Sequence, residues 1–242
     1  MTNLLYMNDF NVETCSAKVL DISGTDDGRV DIILDQTCFY PRGGGQDWDL
    51  GVILDNGKTT EIEEVRIDSE GIVHHICNET NILIGDNVSC QVDHQRRQIN
   101  SRLHSAGHLI DMAIRELGLD WVASKGQHYP HLSAVEYTGT WEPEKADEVR
   151  LILESKVNEL GAIEQDNRLV QMPINELTEV CDYIPANIPT NKPCRVVIFG
   201  DKYVAPCGGT HIKNLHEIGF VEITKLKYKK GVIRINYSID IN

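Results

Sequence analysis

The chain has 242 residues, 41% of them hydrophobic and 25% charged, with a formal net charge of −14. Such a chain can bury a sizeable core, and the length suits two modest domains. No stretch approaches the roughly 18 to 20 apolar residues that span a bilayer, residues 1–15 lack a basic region followed by an apolar run, and the seven cysteines form no CxxC pair, so a soluble cytoplasmic protein with free thiols and no membrane contact is expected.

The acidic balance argues against a partner held by phosphate neutralisation. Yet residues 195–234 carry eight basic and three acidic side chains. An acidic surface with one basic region can steer RNA to one face; the same lysines can equally form a solvated hairpin.

In chain order, residues 15–92 read as short alternating runs at 18–21, 30–34, 51–54, 62–67, 72–76 and 88–92, punctuated by Gly24, Gly28, Asn56-Gly57 and Gly71. This spacing predicts a small antiparallel β-barrel. From His94 to Leu117 the period changes. Ile99, Leu103, Ala106, Ile110 and Ala113 recur at three- and four-residue steps, with Asp93 as N-cap and Gly118 as stop, which predicts an amphipathic helix. A strand at 133–137 and a second helix at 143–160, opened by Pro143, follow. The last third reads as strands at 169–172, 195–199, 220–227 and 232–238, a short helical piece at 175–181, and a hairpin turn at Lys229-Lys230-Gly231. Strands and helices mix without strict alternation, so the expected class is α+β, with one domain at 1–93 and a second at 94–242.

His104 and His108 stand four apart on the predicted helix, so their rings leave one face about one turn apart and can grip one ion. Taken alone, such a pair also fits two partly buried core histidines. Pro206-Cys207-Gly208-Gly209-Thr210-His211 adds a thiolate and an imidazole on a loop whose glycines are expected to take backbone angles other residues avoid. Together the four residues are a nitrogen and sulfur set suited to one zinc ion, unlike the oxygen cages of calcium or magnesium. His74, His75, Cys77, His128, His131, His216, Cys181 and Cys194 have ordinary strand, loop or core readings, with Cys194 and His128 the next candidates.

Three segments then carry a resemblance: Phe39-Tyr40-Pro41-Arg42-Gly43-Gly44-Gly45-Gln46, Arg102-Leu103-His104-Ser105-Ala106-Gly107-His108-Leu109, and Cys207-Gly208-Gly209-Thr210-His211 followed by Glu217-Ile218-Gly219. In that order they resemble AlaX, the free-standing alanyl-tRNA editing proteins related to the editing domain of alanyl-tRNA synthetase. The pairs HxxxH and CxxxH are shared with threonyl-tRNA synthetase editing domains; the GGGQ and CGGTH segments favour alanine. The resemblance implies a translation-factor-like N-terminal barrel, a zinc-containing editing domain, and the medium-length AlaX type. It also implies hydrolysis of mischarged tRNA(Ala), bound by its acceptor end, without any charging activity. The amino acid removed would be serine, or glycine.

For that chemistry, zinc at His104, His108, Cys207 and His211 would activate water and stabilise the oxyanion. Four protein ligands describe a closed site, so either one ligand, His211 first among them, yields to water, or the metal takes up substrate by expanding its coordination. Gly43, Gly44 and Gly45 expose backbone N–H groups suited to a phosphate or the CCA end, and Gln46 adds amide donors; a plain glycine hairpin is the alternative. Ser124, Gln127 and Thr210 are candidates for recognising a serine hydroxyl. Arg96, Arg97 and Arg102 on the helix, with Lys225, Lys227, Lys229 and Lys230 on the last hairpin, would contact RNA phosphates or form solvated faces. The competing functions are a threonyl-type editing hydrolase and a zinc-stabilised RNA-binding or adaptor module without turnover.

Overall fold

The computed structural model describes residues 1–181, 184, 188 and 193–241. They divide into two compact units, Met1–Gln98 and Ile99–Asn242. Among the described residues no helix is long and apolar enough to cross a membrane.

Unit 1 contains β1 (Asn3–Leu4), β2 (Thr14–Gly24), β3 (Val30–Leu34), β4 (Gln36–Thr37), β5 (Gly51–Asp55), β6 (Lys58–Ile62), β7 (Glu64–Ile67), β8 (Val73–Cys77) and β9 (Asn87–Val92). Seven of them form one antiparallel sheet in the order β6-β5-β9-β2-β3-β8-β7. The run expected at 62–67 is two strands, because Glu63 breaks it and donates its N–H to Ile76 O at 2.9 Å. The outermost strands β6 and β7 are therefore chain neighbours, and the sheet curls almost closed. Strand β2 turns the corner. Residues 14–18 pair with β9 and residues 19–24 with β3, and the irregularity between Val19 and Asp21 leaves Leu20 exposed. Alternate side chains point inward, so Val19, Ile32, Leu34, Ile53, Val88, Cys90 and Val92 form the core. One polar chain crosses it: Phe39 N–H donates to Thr37 Oγ1 (3.0 Å), Thr37 to His75 Nε2 (2.8 Å), and His75 Nδ1–H to Ile32 O (3.0 Å).

Helix α1 (His94–Glu116) begins where Asp93 Oδ1 accepts from Arg96 N at 3.0 Å. It ends where Gly118, at φ 69°, lets Leu119 N–H return to Ile114 O. At its start the expected arginine face is neither solvated nor free for phosphate. Arg97 is 2% exposed, ion-paired with the buried Asp49, and donates to Cys38 O (2.7 Å) and Val12 O (3.0 Å). Arg96 reaches Asp47 (2.7 Å) and Trp48 O (2.8 Å). The planar guanidinium fork suits such mixed carboxylate and carbonyl cradles, and its acceptors lie 48 to 85 residues away in the chain, beyond the reach of local spacing.

Unit 2 contains β10 (Val122–Tyr129), β11 (Leu132–Thr138), α2 (Ala146–Gly161), β12 (Arg168–Met172), α3 (Ile174–Val180), β13 (Cys194–Phe199), β14 (Tyr203–Pro206), β15 (Val221–Lys229) and β16 (Val232–Ile239). They build antiparallel sheets ordered β10-β11-β16-β15 and β12-β13-β14. Helix α2 follows a 3-10 turn at Pro143–Lys145 and lies against β15, where Asn158 exchanges two hydrogen bonds with Val221. Strands β10 and β14 are absent from the sequence reading, because β10 is largely polar with little period-two hydrophobicity and β14 is only four residues long and ends in a proline. The last hairpin turns on Lys230 (φ 53°) and Gly231 (φ 83°), both left-handed, which matches the twist of the paired strands. The architecture is α+β, with a near-closed antiparallel sheet in unit 1.

Candidate metal centre

The site lies within unit 2. Helix α1 carries His104 and His108 one turn apart, their rings stacked with centroids at 5.3 Å. After β14 the chain delivers Cys207 and His211 on a loop fastened by the buried Arg195 of β13, whose Nη1 donates to Cys207 O (2.5 Å) and Gly209 O (2.9 Å). Neither Gly208 nor Gly209 has a positive φ, contrary to the expected reason for two glycines. A Cβ at Gly208 would meet nothing within 4 Å. The loop is shaped by Arg195; Gly209 contributes its N–H, which points to Cys207 Sγ at 3.4 Å.

The four ligand atoms all lie within 4.8 Å of one another. Cys207 Sγ is 3.4 Å from His104 Nε2 and 3.3 Å from His211 Nε2. Ligands on a tetrahedral zinc, with bonds of about 2.0 to 2.3 Å, stand roughly 3.3 to 3.7 Å apart, so this cluster fits the ion. Both ring nitrogens of His108 are buried without a hydrogen-bond partner, a second observation that fits a ring whose basic nitrogen is kept for an ion. His211, expected to be the loose ligand, is anchored: its Nδ1 lies 3.2 Å from Ser105 Oγ, which also accepts Ile212 N–H at 3.2 Å.

Burial, reinforced by the neighbouring imidazoles, holds His104 and His211 well below the usual histidine range, in the neutral form that ligates. Burial alone would depress His108 and raise Cys207. Asp111 and Cys207 outweigh it for His108, held at about 10, while His108 draws the Cys207 thiol below its ordinary value. Thiolate character at Cys207 is what a soft metal ligand requires.

His128, on β10, is not among the four. It stacks on His104 with centroids 4.4 Å apart, and burial pushes it down to about 3. Tyr237 Oη donates to Leu103 O (2.9 Å), so the 2.6 Å contact between His128 Nδ1 and Tyr237 Oη is donated by the imidazole. One further residue escaped the sequence reading: Asp111, whose Oδ2 lies 3.5 Å from His108 Nδ1 and whose only local signal is its place three residues after His108 on the helix.

The remaining expected site residues fall as follows. In unit 1, Gly44 (φ 53°) and Gly45 (φ 77°) form a two-residue turn in which Gly43 N and Gln46 N bond each other's carbonyls at 3.2 and 2.8 Å. That leaves the N–H groups of Gly44 and Gly45 outside the turn's own pairing, and Gln46 is buried. In unit 2, exposed Ser124 Oγ donates to Glu136 O (3.1 Å), Gln127 is half-buried, and buried Thr210 shares a 2.8 Å hydrogen bond with Ser101. Arg102 is used in binding Ile218 O. Lys225, Lys227, Lys229 and Lys230 are exposed, and Lys225 beside it pulls the Lys227 ammonium below its usual value. His74 pairs with Asp31, Cys77 is core, His131 and His216 are exposed, Cys181 is half-buried, and Cys194 Sγ donates to Arg195 O.

Residues 11–96 match the family described as tRNA synthetases class II (A), and residues 194–236 match the threonyl and alanyl tRNA synthetase second additional domain. Over 98% of its length the chain is 29% identical to the alanyl-tRNA editing protein AlaX-L of Pyrococcus horikoshii, of which it covers 58%. The chain is related to the alanyl-tRNA editing proteins. It is likewise 32% identical to the alanine–tRNA ligase of Haloquadratum walsbyi and 29% identical to that of Methanobrevibacter smithii, covering 26% and 27% of those proteins. It thus spans a little over half of its editing relative and about a quarter of the ligases. The second matched segment contains Cys207 and His211.

Proposed function

We propose that this chain is a zinc-dependent trans-editing hydrolase that deacylates mischarged tRNA(Ala), with seryl-tRNA(Ala) as main and glycyl-tRNA(Ala) as second substrate. The observation carrying this reading is the convergence of His104, His108, Cys207 and His211 within 4.8 Å, from a helix and a loop about a hundred residues apart. Zinc bound there supplies a Lewis acid that activates water and steadies developing negative charge on the ester. The chain's own residues prepare the site. Ser105 fixes the His211 ring, Arg195 fixes the loop carbonyls, and burial keeps His104 and His211 unprotonated.

The finer assignments belong to the same proposal. Residues 1–93 act as a translation-factor-like barrel and 94–242 as the editing domain, in a cytoplasmic protein of the medium-length type. The Gly44 and Gly45 amides meet the acceptor end, and the exposed lysines of the β15–β16 hairpin hold phosphates. Selection of serine over alanine requires a polar partner left unpaired by a methyl group; buried Thr210, directly before the ligand His211, is the best placed of the three candidates, since Ser124 is exposed and Gln127 leaves the face of β10 opposite to His128.

A panel of seryl-, glycyl-, threonyl- and alanyl-tRNA, incubated with chain loaded with zinc or stripped by chelator, tests the reading. Release of serine from tRNA(Ala) by the zinc form alone is expected. Preference for threonyl ester would make it a threonyl-type hydrolase, and tRNA binding without release an adaptor.

A further inference from the structure

Asp111 stands at a junction that the four-ligand reading does not use. One carboxylate oxygen, Oδ1, accepts the Tyr137 hydroxyl at 2.6 Å, and the other, Oδ2, faces His108 Nδ1 at 3.5 Å. The carboxylate is largely buried, and Tyr137 is 1% exposed, with a hydroxyl pushed far above its ordinary range by burial and then by the Asp111 charge beside it. That phenol therefore stays a donor, and it fixes the orientation of the carboxylate. His108 is the cluster member whose two nitrogens both lack a hydrogen bond, whereas His211 has Ser105 behind it and the Cys207 loop has Arg195.

We propose that Asp111 is the positioning residue of the metal centre: held by Tyr137, it takes the Nδ1–H of His108 and so presents the Nε2 lone pair to the ion. This rests on the zinc reading given above. A histidine ligand whose far nitrogen is bound by a carboxylate is fixed in tautomer and ring orientation and made more basic, and loss of that carboxylate weakens metal binding by about 10- to 100-fold. The 3.5 Å separation is longer than a good hydrogen bond, so the proposal requires the carboxylate and the imidazole to close by a few tenths of an ångström when the ion is bound. The same carboxylate also lines a cavity of about 320 Å³ with Tyr137, Tyr203, Ile114 and Trp121. A role in binding the substrate's ammonium group from that cavity is therefore the rival assignment.

The test compares wild type, Asp111→Ala, Asp111→Glu and Tyr137→Phe by zinc content, zinc affinity in chelator competition, and melting temperature with and without zinc. Asp111→Ala is expected to melt like wild type when stripped of metal, to lose most of the zinc-dependent rise, and to bind zinc about 10- to 100-fold more weakly. Tyr137→Phe should show a smaller loss of the same kind, and Asp111→Glu a partial recovery. Wild-type zinc affinity in Asp111→Ala overturns the proposal, as does a raised KM for the aminoacyl ester at unchanged zinc affinity, which assigns Asp111 to substrate. If Asp111→Ala unfolds without metal, Tyr137→Phe at wild-type affinity overturns it in turn. A wild-type chain that takes up no zinc overturns the metal reading itself.

Discussion

His128 lies flat on His104, ring centroids 4.4 Å apart and planes 17° from parallel, although 24 residues separate them in the chain. Two glycines admit the imidazole. A Cβ at Gly107 would come within 2.5 Å of His128 Cε1, and one at Gly126 within 2.6 Å of its Nε2. Gly107 has an ordinary helical φ, so Gly107→Ala should gain about 1 kcal/mol from helix propensity alone. The ring cannot retreat, being held by Tyr237 and stacked on His104, and overpacking of this kind costs about 1–3 kcal/mol or more. A lower melting temperature is therefore expected, and adding His128→Ala to Gly107→Ala should reverse the effect. A stabilised Gly107→Ala protein would refute the packing argument.

Arg97 and Asp49 form a buried ion pair in unit 1, with Cys38 O and Val12 O completing the guanidinium's partners. Removing one member leaves the other charge buried and unpaired. Asp49→Ala and Arg97→Ala should each cost about 3–5 kcal/mol in denaturant unfolding, with little dependence on salt because the pair is shielded from ions. A loss below 1 kcal/mol, or one that salt abolishes, would contradict a buried pair.

His75 is fully buried as the neutral tautomer, donating from Nδ1 and accepting at Nε2, and burial depresses it from 6.5 to about 4. In the unfolded chain it takes a proton near pH 6.5 that the folded chain refuses. Its stability contribution is thus complete above pH 6.5 and falls as pH drops towards 4, by about 3 kcal/mol in all at 1.36 kcal/mol per unit. Denaturant unfolding between pH 7 and 4 should show a shallower acid slope in His75→Asn than in wild type. Equal slopes would remove His75 as the source.

The lysines at 225, 227 and 229 alternate along β15 and so share one face of the strand, adjoining Lys230 at the turn. If they hold RNA phosphates, tRNA affinity should fall with rising salt, and the log–log slope should flatten by about one for each lysine removed. Lys225→Ala combined with Lys227→Ala should therefore weaken binding at low salt while leaving the melting temperature near wild type. An unchanged salt slope would return these residues to a merely solvated hairpin.

What was legible locally was what repeats at short range. The three- and four-residue hydrophobic steps define α1 and put His104 and His108 on one face, and Lys230-Gly231 marks the turn that its left-handed backbone requires. Likewise Asp93 and Gly118 close the helix because capping depends on neighbouring N–H and C=O groups. The strands β10 and β14, with polar or brief patterns, were not legible, since their partners in the sheets supply the pairing that their own residues do not advertise.

The sequence by itself determined which residues can ligate, through the spacing of HxxxH on a helix and CxxxH in a loop, because those pairs are local. Only the tertiary structure decided that the two pairs meet, that Arg97 serves Asp49, and that His128 and Asp111 stand behind the ligands. These are contacts between segments up to about a hundred residues apart, and they exist only once strand pairing and core packing have fixed where each segment lies.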